Sequence, residues 1–479
     1  MNKVRNKTKI VATLGPSSKD YETIKELALA GVSMFRINTS HGTKEEHAEK
    51  IQIIRRISKE LNRNIPILID LQGPKIRVGQ IPEPIQIEKG QEIVLKHTDK
   101  IEDGIVPVDY NGIDKDVTIG EKILLDDGKV GLRVTKVVDG RVYTKVEHGT
   151  IIKPRKGINI PGAQASLEAV TQKDKQFIKF ALEQDADYLA LSFVRTAEDV
   201  KCAKYYTKAY GDKEIPIIAK IEKPQAVQNL EEIVKVADGI MVARGDLGIE
   251  MSPQEVPIAQ KEIIRLTNIH KKPCIVATQM LESMMEEPIP TRAEACDVAN
   301  AIYDGTDAIM LSGETAAGNF PVEAVKMMAE ISKTVENSQF LKTNLDADLI
   351  TELNPISQAI SSSAVNIAKK LNAKAILIFS TKGYTPPIIS KLKPSAPIIA
   401  VTASEKVARK LDIFWGINSF VATECTNVMD ESMMKRIDDI LVNRAGFKNG
   451  DEIVIVSSLP KMMTRTINTI RVYTIGEAQ

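Results

Sequence analysis

Carboxylates follow two of the short apolar runs in this 479-residue chain, at positions where they could bind a metal ion. Glu222 comes directly after Ile217–Ile221, and Asp246 comes shortly after residues 240–242. Mg²⁺ typically takes one or two protein carboxylates together with substrate oxygens and water. Glu222 and Asp246 are therefore candidate metal ligands. They fit equally well as carboxylates that only neutralise the basic side chains beside them.

A lysine at the end of an apolar strand is costly unless a partner offsets its charge. Lys220 has this position, and its ammonium could stabilise a phosphoryl group in transfer or an enolate. It could also be a lysine that extends from the strand end into solvent. Arg36 allows the same two interpretations.

A hydroxyl and a carboxylate, Ser312 and Glu314, follow Ala308–Leu311. Together they could relay a proton through water. A helix N-cap with an acidic first turn explains the same two residues about as well.

The apolar runs before these residues alternate with segments of helical spacing. The runs cover residues 10–14, 34–38, 67–70, 188–192, 217–221, 240–242, 274–278 and 308–311. Eight strand–helix units over roughly 250 residues predict a closed (β/α)₈ TIM barrel, whose reactive face lies at the carboxyl ends of the strands. Charged and hydroxyl groups would then converge from most of the strands.

Two other regions interrupt or follow this alternation. Residues 74–167 contain Val/Ile-rich runs separated by turn pairs such as Asp139-Gly140, and they predict an inserted small β-barrel, called the lid below. A second α/β alternation after residue 356 predicts an open, mostly parallel sheet. We therefore predict a barrel at 1–73 and 168–338, the lid at 74–167, and a C-terminal α/β domain at 339–479.

Composition excludes several classes of protein. The chain has 64 Lys and Arg against 63 Asp and Glu, which argues against nucleic acid or an anionic membrane as its main partner. No apolar run approaches the ~18 residues that span a bilayer, and the apolar stretch after the basic N-terminus is too short for a signal peptide. The four cysteines lie far apart and show no metal-ligand spacing. We expect a cytoplasmic protein.

Several segments together resemble the pyruvate kinase family. They are residues 13–16 (TLGP), 35–42 (FRINTSHG), 73–77 (GPKIR), 156–162 (KGINIPG), 220–223 (KIEK), 241–248 (MVARGDLG), 277–284 (ATQMLESM), 290–294 (PTRAE) and 310–316 (MLSGETA). Their order and spacing fit from residue 8 to about 330, and the rest of the chain has the α/β pattern of the family's C-terminal domain. One such segment could arise by chance, whereas the set is highly specific.

The resemblance implies transfer of a phosphoryl group from phosphoenolpyruvate to ADP, followed by protonation of the enolate to pyruvate. It implies that Glu222 and Asp246 hold Mg²⁺ or Mn²⁺ between substrate oxygens. Lys220 and Arg36 would stabilise the phosphoryl group. This fits the chemistry, because phosphoryl transfer needs positioning and charge neutralisation rather than a protein nucleophile.

The same resemblance implies roles at the other end of the substrate. The amides of Gly245 and Asp246, with Thr278, would bind the carboxylate. Ser312 and Glu314 would belong to a proton relay toward the methylene carbon of the enolate.

Nucleotide binding is implied at the lid. Arg77 and Lys156 would contact the nucleotide phosphates, with Asn38 and His41 on the nucleotide side. The lid would close to exclude water, which otherwise competes for the phosphoryl group. The family also implies a homotetramer.

The resemblance also concerns a monovalent cation. Many family members require K⁺, held at positions that match Asn38, Ser40, Asp70 and the backbone carbonyl of Leu71. Those members usually have a glutamate where this chain has Lys75, whose ammonium would replace the ion. We therefore predict that K⁺ is not required.

A candidate effector site follows residues 375–379 of the C-terminal domain, at the sheet edge where ligands commonly sit. Its hydroxyls, flexible glycine and lysine belong to Ser380, Thr381, Lys382, Gly383 and Thr385, and Lys461, Thr464, Arg465 and Thr466 are candidate second contacts. The resemblance implies an activating phosphate compound, either a sugar phosphate or AMP. Tyr384 replaces an arginine often found in members regulated by fructose 1,6-bisphosphate, so both effectors stay open. An ordinary strand-to-helix turn is the alternative.

Two other functions stay open. A metal-dependent barrel enzyme such as an aldolase acting on phosphoenolpyruvate or pyruvate would share the carboxylates but have no use for Arg77 and Lys156. A non-catalytic sensor of phosphorylated metabolites would not need a proton relay. Formation of ATP from phosphoenolpyruvate and ADP would separate these functions.

Overall fold

The first three barrel strands alternate with two helices in this computed structural model, which describes residues 6–98, 100, 102, 104–161, 167–211, 214–343, 354–422, 431–458 and 467–477. The elements are β1 (Lys9–Leu14), a 3-10 turn (Pro16–Ser18), α1 (Tyr21–Ala30), β2 (Met34–Asn38), α2 (Lys44–Glu60) and β3 (Ile67–Asp70). Side chains define where the helices begin: Asp20 accepts the N–H of Thr23, and Thr43 forms a capping box with Glu46. Gly31 ends α1 at a φ of +134°, which L side chains rarely adopt.

The lid is a β-rich unit inserted after β3. It contains β4 (Ile76–Arg77), β5 (Ile85–Gln86), β6 (Glu92–His97), β7 (Ile105–Val108), α3 (Ile113–Asp116), β8 (Lys122–Leu125), β9 (Val130–Val138), β10 (Arg141–His148), β11 (Ile151–Ile152) and β12 (Gly157–Asn159). Seven strands form a sheet in the order β4-β12-β8-β9-β10-β6-β7, and β11 pairs with β5. A bridge between Val78 and Val108 joins the two edges of the sheet, which makes it barrel-like. The β9–β10 turn uses Asp139 and Gly140 at φ +52° and +72°, as the sequence predicts.

Five further strands complete the barrel. The elements are α4 (Gln172–Glu183), β13 (Tyr188–Leu191), α5 (Ala197–Tyr210), β14 (Ile217–Ile221), α6 (Pro224–Gln228), α7 (Leu230–Val236), β15 (Gly239–Ala243), α8 (Arg244–Glu250), α9 (Val256–Ile269), β16 (Cys274–Ala277), a 3-10 turn (Glu282–Met285), α10 (Arg292–Tyr303), β17 (Ala308–Leu311), α11 (Gly313–Ala316) and α12 (Pro321–Glu336). The parallel strands close in the order β1-β17-β16-β15-β14-β13-β3-β2. The predicted (β/α)₈ barrel is confirmed.

The C-terminal domain has an open sheet with helices between its strands. Its elements are α13 (Pro355–Lys370), β18 (Ala375–Phe379), α14 (Thr385–Lys391), β19 (Ile398–Thr402), α15 (Glu405–Leu411), β20 (Ile417–Val421), α16 (Glu431–Asp439), a π-helical turn (Ile440–Ala445), β21 (Glu452–Ser457) and β22 (Thr469–Thr474). The order is β20-β19-β18-β21-β22, and only β22 is antiparallel. This confirms the predicted mostly parallel sheet. In the described ranges, no helix has the length and apolarity needed to cross a bilayer.

The apolar interior of the barrel is continuous with the core of the C-terminal domain. Met34, Leu68 and Ile218 from the barrel strands belong to the same packed cluster as Ile376 and Ile398 of the C-terminal sheet. All five side chains are fully buried. The two units therefore share one apolar core rather than meeting only through polar surfaces.

A buried polar cluster lies beside this shared core. Asp307 accepts a hydrogen bond from Lys391 Nζ at 2.5 Å and another from the backbone N–H of Trp415 at 3.1 Å. Lys393 Nζ donates to the carbonyl of Thr306 at 3.2 Å and lies 4.7 Å from the centroid of the Trp415 ring. Two lysines and one carboxylate therefore share a site closed to solvent.

Replacing Lys393 should change how stability depends on pH. Burial, opposed by Asp307 and reinforced by Lys391, lowers the pKa of Lys393 to about 7, whereas an unfolded lysine has a pKa of ~10.4. Between these values the unfolded chain keeps a proton that the folded chain has lost, so the free energy of unfolding rises with pH by up to ~1.4 kcal/mol per unit. Below the lower value both states are protonated, and the cost of burying the charge is fully present.

Lys393→Met removes the titrating group. We expect this variant to raise the apparent melting temperature near neutral pH and to flatten its rise toward pH 9. The exposed Lys374→Met is the matched control. If the melting temperatures of wild type and Lys393→Met rise by the same amount between pH 7 and pH 9, the prediction is contradicted.

Candidate active site

The candidate residues lie at the carboxyl ends of six barrel strands, on the face that the lid contacts. The residues are Arg36, Asp70, Lys220, Glu222, Asp246, Thr278, Ser312 and Glu314. They lie at the ends of β2, β3, β14, β15, β16 and β17 or in the turns that follow these strands. Because parallel strands all point the same way, their carboxyl ends bring these side chains to one face.

Asp70 is the centre of a buried charge network. Its Oδ2 lies 2.6 Å from Arg36 Nη2, and its Oδ1 lies 3.4 Å from Lys220 Nζ. Arg36 also donates to the hydroxyl of Thr13 at 2.9 Å. Burial alone would raise the pKa of Asp70, but Lys220 and Arg36 outweigh burial and hold the pKa below its usual value. Asp70 therefore orients two cations toward the mouth of the barrel.

Lys220 has partners on three sides. Its Nζ lies 2.8 Å from Glu222 Oε1 and donates to the hydroxyl of Ser192 at 2.8 Å, in addition to its contact with Asp70. Burial would lower the pKa of Lys220, but the Asp70 and Glu222 carboxylates raise it above its ordinary value. The side chain therefore carries a fixed positive charge, which suits electrostatic stabilisation rather than proton transfer.

Glu222 and Asp246 have the properties of a divalent-metal pair. Burial raises the pKa of Glu222, Lys220 opposes this, and the nearby Asp246 carboxylate raises the pKa further. Glu222 Oε2 accepts the N–H of Phe193 at 2.8 Å, and its Oε1 lies 2.8 Å from Lys220 Nζ. A divalent cation would relieve the repulsion between the carboxylates and bind their remaining lone pairs.

The described residues contain no cluster of three or more His, Cys, Asp or Glu side chains that could hold a metal by themselves. A cation at Glu222 and Asp246 would therefore complete its coordination with substrate oxygens and water, as Mg²⁺ usually does. The carboxylate donors present fit such an ion.

Thr278 holds an unusual backbone conformation at the end of β16. Its φ is +70°, and that of Gln279 is +53°. A positive φ is strained for a β-branched residue, and such strain persists only where the surroundings enforce it. The Thr278 hydroxyl accepts the N–H of Gly245 at 2.7 Å, and Arg244 Nη2 donates to the Thr278 carbonyl at 2.8 Å. This geometry places the hydroxyl against the first turn of α8, which carries Asp246.

Ser312 and Glu314 are arranged differently from a direct hydroxyl–carboxylate pair. Glu314 is buried, and its two oxygens accept the backbone N–H groups of Ser312 at 2.8 Å and Leu281 at 3.1 Å. The buried Ser312 hydroxyl has no hydrogen-bond partner in the part of the chain that the structure describes. Glu314 therefore fixes the turn, while the Ser312 side chain makes no N-cap hydrogen bond and its hydroxyl is left available.

Comparison with known proteins identifies the family. Models of the pyruvate kinase barrel domain and of the pyruvate kinase alpha/beta domain match residues 5–325 and 358–473. A pyruvate kinase of Geobacillus stearothermophilus is 41% identical over 99% of this chain and 81% of its own length. The pyruvate kinases of Thermotoga maritima and Thermococcus litoralis are both 42% identical, over 97% and 98% of this chain and 98% and 99% of their own lengths. The chain belongs to the pyruvate kinase family.

Pyruvate kinases are phosphotransferases that in general depend on a divalent metal, and the barrel mouth described above is chemically suited to that role. The two lid cations predicted for the nucleotide pair within the lid rather than with the charge network. Lys156 pairs with Asp126 at 3.0 Å, and Arg77 Nη1 donates to the carbonyl of Arg155 at 3.1 Å, both within the lid. Across the described residues, no hydrogen bond or ion pair joins either cation to Asn38, and His41 is exposed.

The positions that the resemblance matches to a K⁺ site already have partners in this chain. Asn38 Oδ1 accepts the N–H of Ser40 at 3.0 Å, the Leu71 carbonyl accepts the hydroxyl of Ser192 at 2.7 Å, and Asp70 is paired as described. Lys75 is half-buried and lies against β12, where a Cβ added to Gly157 would be 2.6 Å from Lys75 Cε. It lines a cleft at the hinge between lid and barrel, together with Asn159 and Lys223.

Several residues of this candidate site were not assigned a role from the sequence. Thr13 and Ser192 hydrogen-bond the two cations, and Asn159, Lys223 and Glu250 link the lid to the barrel. Ser192 is among the polar residues that the strand-end rule selects from the sequence, and the same rule could have found Thr13. Glu250 lies at the far end of a short helix and has no comparable sequence signal.

Proposed function

We propose that the protein transfers the phosphoryl group of phosphoenolpyruvate to ADP, giving ATP and pyruvate in the last step of glycolysis. The observation that carries this proposal is a pair of cations, Arg36 and Lys220, whose side chains are each 11% exposed and are held by Asp70 beside Glu222 and Asp246. Phosphoryl transfer needs concentrated positive charge and exclusion of water. The barrel mouth supplies the positive charge, and the lid would exclude the water.

Each role follows from a local contact. Glu222 and Asp246 would hold Mg²⁺ or Mn²⁺, and the ion would supply positive charge to neutralise the substrate oxygens. Lys220 stays charged because its carboxylate partners raise its pKa, so it acts on the phosphoryl oxygens as a fixed cation. Arg36 supplies a second cation on the same side.

The carboxylate and the enolate are handled at β16 and β17. Thr278, with the amides of Gly245 and Asp246, would bind the substrate carboxylate after the Thr278 hydroxyl releases the N–H of Gly245. The Ser312 hydroxyl would pass a proton toward the methylene carbon of the enolate, while Glu314 holds the turn in place.

The lid is proposed to span residues 74–167, between barrel segments 1–73 and 168–338, with the regulatory domain at 339–479. Arg77 and Lys156 would contact the nucleotide phosphates from the lid, with Asn38 and His41 on the barrel side. Lys156 would then exchange Asp126 for a phosphate oxygen, which is an ordinary change for a half-exposed ion pair.

The test of this function is ATP formation by the purified protein from phosphoenolpyruvate and ADP, with omission of ADP and of the divalent metal as controls. An aldolase-type enzyme would act without ADP, and a sensor would bind phosphoenolpyruvate without turnover. Lack of ATP formation in the complete mixture would overturn the proposal.

We predict full activity without added K⁺. Lys75 places a tethered ammonium at the hinge and has no ion-pair partner among the described residues, while the oxygens of Asn38, Asp70 and Leu71 already accept contacts. The measurement is turnover in a buffer whose only monovalent cation is tetramethylammonium, with KCl added back at constant ionic strength.

Lys75→Glu should create a K⁺ requirement, because it replaces the cation with a carboxylate. Lys89→Glu, at an exposed lid position, is the matched control and should not. A many-fold activation of the unmodified protein that is specific to K⁺ would show that Lys75 does not replace the ion.

We also propose that a phosphorylated effector, a sugar phosphate or AMP, binds the loop after β18. The loop turns at Gly383, whose φ is +81° and whose N–H donates to the hydroxyl of Ser380 at 3.0 Å. Thr381 and Lys382 are exposed, and Thr385 begins α14. The second-contact candidates Lys461, Thr464, Arg465 and Thr466 lie outside the described residues.

Effector binding should change the fluorescence of Trp415. Ser390, in the helix that follows the loop, donates to the Trp415 carbonyl at 2.6 Å, so a shift of α14 would reach the indole. Titration with fructose 1,6-bisphosphate and with AMP, followed by emission and by the KM for phosphoenolpyruvate, is the measurement. Lys382→Ala should weaken the response and Lys374→Ala should not; no change in emission or KM with either ligand would end this proposal.

A homotetramer in the cytoplasm is proposed on the family resemblance. A light-scattering mass of four chains in solution is the expected result.

A further inference from the structure

Glu250 is a buried carboxylate between the lid and the barrel. It is 4% exposed at the end of α8, and its Oε1 accepts hydrogen bonds from Asn159 Nδ2 and Lys223 Nζ, both at 2.7 Å. Its Oε2 has no hydrogen-bond partner within the described ranges. Burying a carboxylate is costly unless its charge is paired, so the two bonds largely determine where this side chain can lie.

Glu250 and its two partners belong to three different parts of the proposed site. Asn159 is the last residue of the lid strand β12 and is itself buried. Lys223 directly follows Glu222 in the chain. Glu250 ends the same seven-residue helix whose first turn contains Asp246. One carboxylate therefore connects the lid with both segments that carry the candidate metal ligands.

A second contact supports this connection. Lys223 Nζ lies 5.9 Å from the ring centroid of Phe193, and the N–H of Phe193 donates to Glu222 Oε2 at 2.8 Å. Phe193 has a φ of +55°, a strained conformation that neighbouring contacts must maintain. Movement of Lys223 would therefore act on Glu222 through Phe193 as well as through the chain.

We propose that Glu250 is a positioning residue that holds the lid closed and couples closure to the placement of Glu222 and Asp246. The inference rests on the proposed function, since it assigns the carboxylates to a metal. With the lid closed, Asn159 and Lys223 fix Glu250, and α8 and the turn after β14 are held together. When Asn159 leaves, Glu250 keeps only Lys223, and the pair that joins the two metal-binding segments is no longer anchored to the lid.

A simpler role for Glu250 would be to neutralise Lys223. Asn159→Ala distinguishes the two roles, because it removes the lid contact and leaves the ion pair. Glu250→Gln keeps the shape of the side chain and removes its charge. The exposed Glu255→Gln, in the same loop region, is the matched control.

Two measurements that do not require turnover test the coupling. Hydrogen exchange of the β8–β12 amides reports lid opening, and we expect roughly tenfold faster exchange in Asn159→Ala, since a hydrogen bond to a charged group is lost. Mn²⁺ binding without substrates, followed by electron paramagnetic resonance, should weaken ~fivefold or more in the same variant. Asn159→Ala and Glu250→Gln remove the same hydrogen bond. The variant that carries both changes should therefore exchange its lid amides no faster than the more affected of the two single variants.

Steady-state kinetics of Asn159→Ala provide a third measurement. In this variant kcat should fall by a larger factor than the KM for phosphoenolpyruvate changes. Unchanged hydrogen exchange of the lid in Asn159→Ala would show that Glu250 does not hold the lid closed. Faster exchange with unchanged Mn²⁺ affinity would show that lid closure is not coupled to the placement of Glu222 and Asp246. If the wild-type protein forms no ATP, the proposed function fails, whereas exchange and Mn²⁺ binding still decide the role of Glu250. Circular dichroism identifies any variant that does not fold, and Asn159→Ser then serves as the milder replacement.

Discussion

Asp246→Asn and Glu222→Gln are each expected to reduce kcat by at least ~10²–10³-fold, the loss typical when one charge-stabilising group is removed from an active site. The amide keeps the size of the side chain but cannot neutralise a divalent cation, so the phosphoryl group would move without its main charge compensation. In Glu222→Gln the loss of the buried charge should also relieve the repulsion from Asp246, so the protein should stay folded. Turnover and Mn²⁺ affinity are the measurements.

The control for these variants is Glu232→Gln, an exposed carboxylate on α7 whose replacement should leave both quantities unchanged. Near-normal turnover of Asp246→Asn with unaltered metal dependence would show that the metal lies elsewhere.

Lys220→Met is expected to lower kcat by ~10³-fold while the KM for phosphoenolpyruvate changes much less. The variant removes the cation that Asp70, Glu222 and Ser192 hold in place. Lys220→Arg should recover only part of the loss, because a planar guanidinium does not fit three partners arranged around one ammonium.

The matched control is Lys235→Met, which breaks an exposed pair with Glu231 and should leave both stability and activity nearly unchanged. Lys220→Met with a tenth or more of wild-type kcat would contradict a direct role on the phosphoryl group. Because the pKa of Lys220 is raised above its ordinary value, the wild-type rate should not fall through loss of this proton at moderately alkaline pH.

The barrel could be predicted because each strand is a short apolar run followed by a polar residue, a pattern visible without any knowledge of pairing. The partners within the site could not be predicted in this way. The resemblance implies that Asp70 matches a position of the K⁺ site in other family members, and the sequence does not predict that its carboxylate binds Arg36 and Lys220. That arrangement depends on the register of β2 against β3, which pairs Asn38 with Asp70, and no local sequence pattern specifies it.

Two further features depend on tertiary contacts alone. The positive φ of Thr278 has no local cause, since threonine disfavours it, and the surrounding contacts of Arg244 and Gly245 maintain it. The bond between Asn159 and Glu250 joins residues 91 positions apart in different domains. The sequence therefore predicts which strand ends carry chemistry, and the structure is needed to say which groups pair.

The pairing of β1 with β17 has a consequence for synthesis on the ribosome. Lys9 is opposite Ala308, so the first strand must wait for its neighbour while about 300 residues are made, roughly 15–60 s at 5–20 residues per second. The lid sheet lies wholly between Ile76 and Asn159 and can form much earlier. During that interval one edge of β1, with six side chains that are all buried in the finished protein, has no strand beside it. A nascent chain of this protein is therefore expected to need protection by chaperones until β17 emerges.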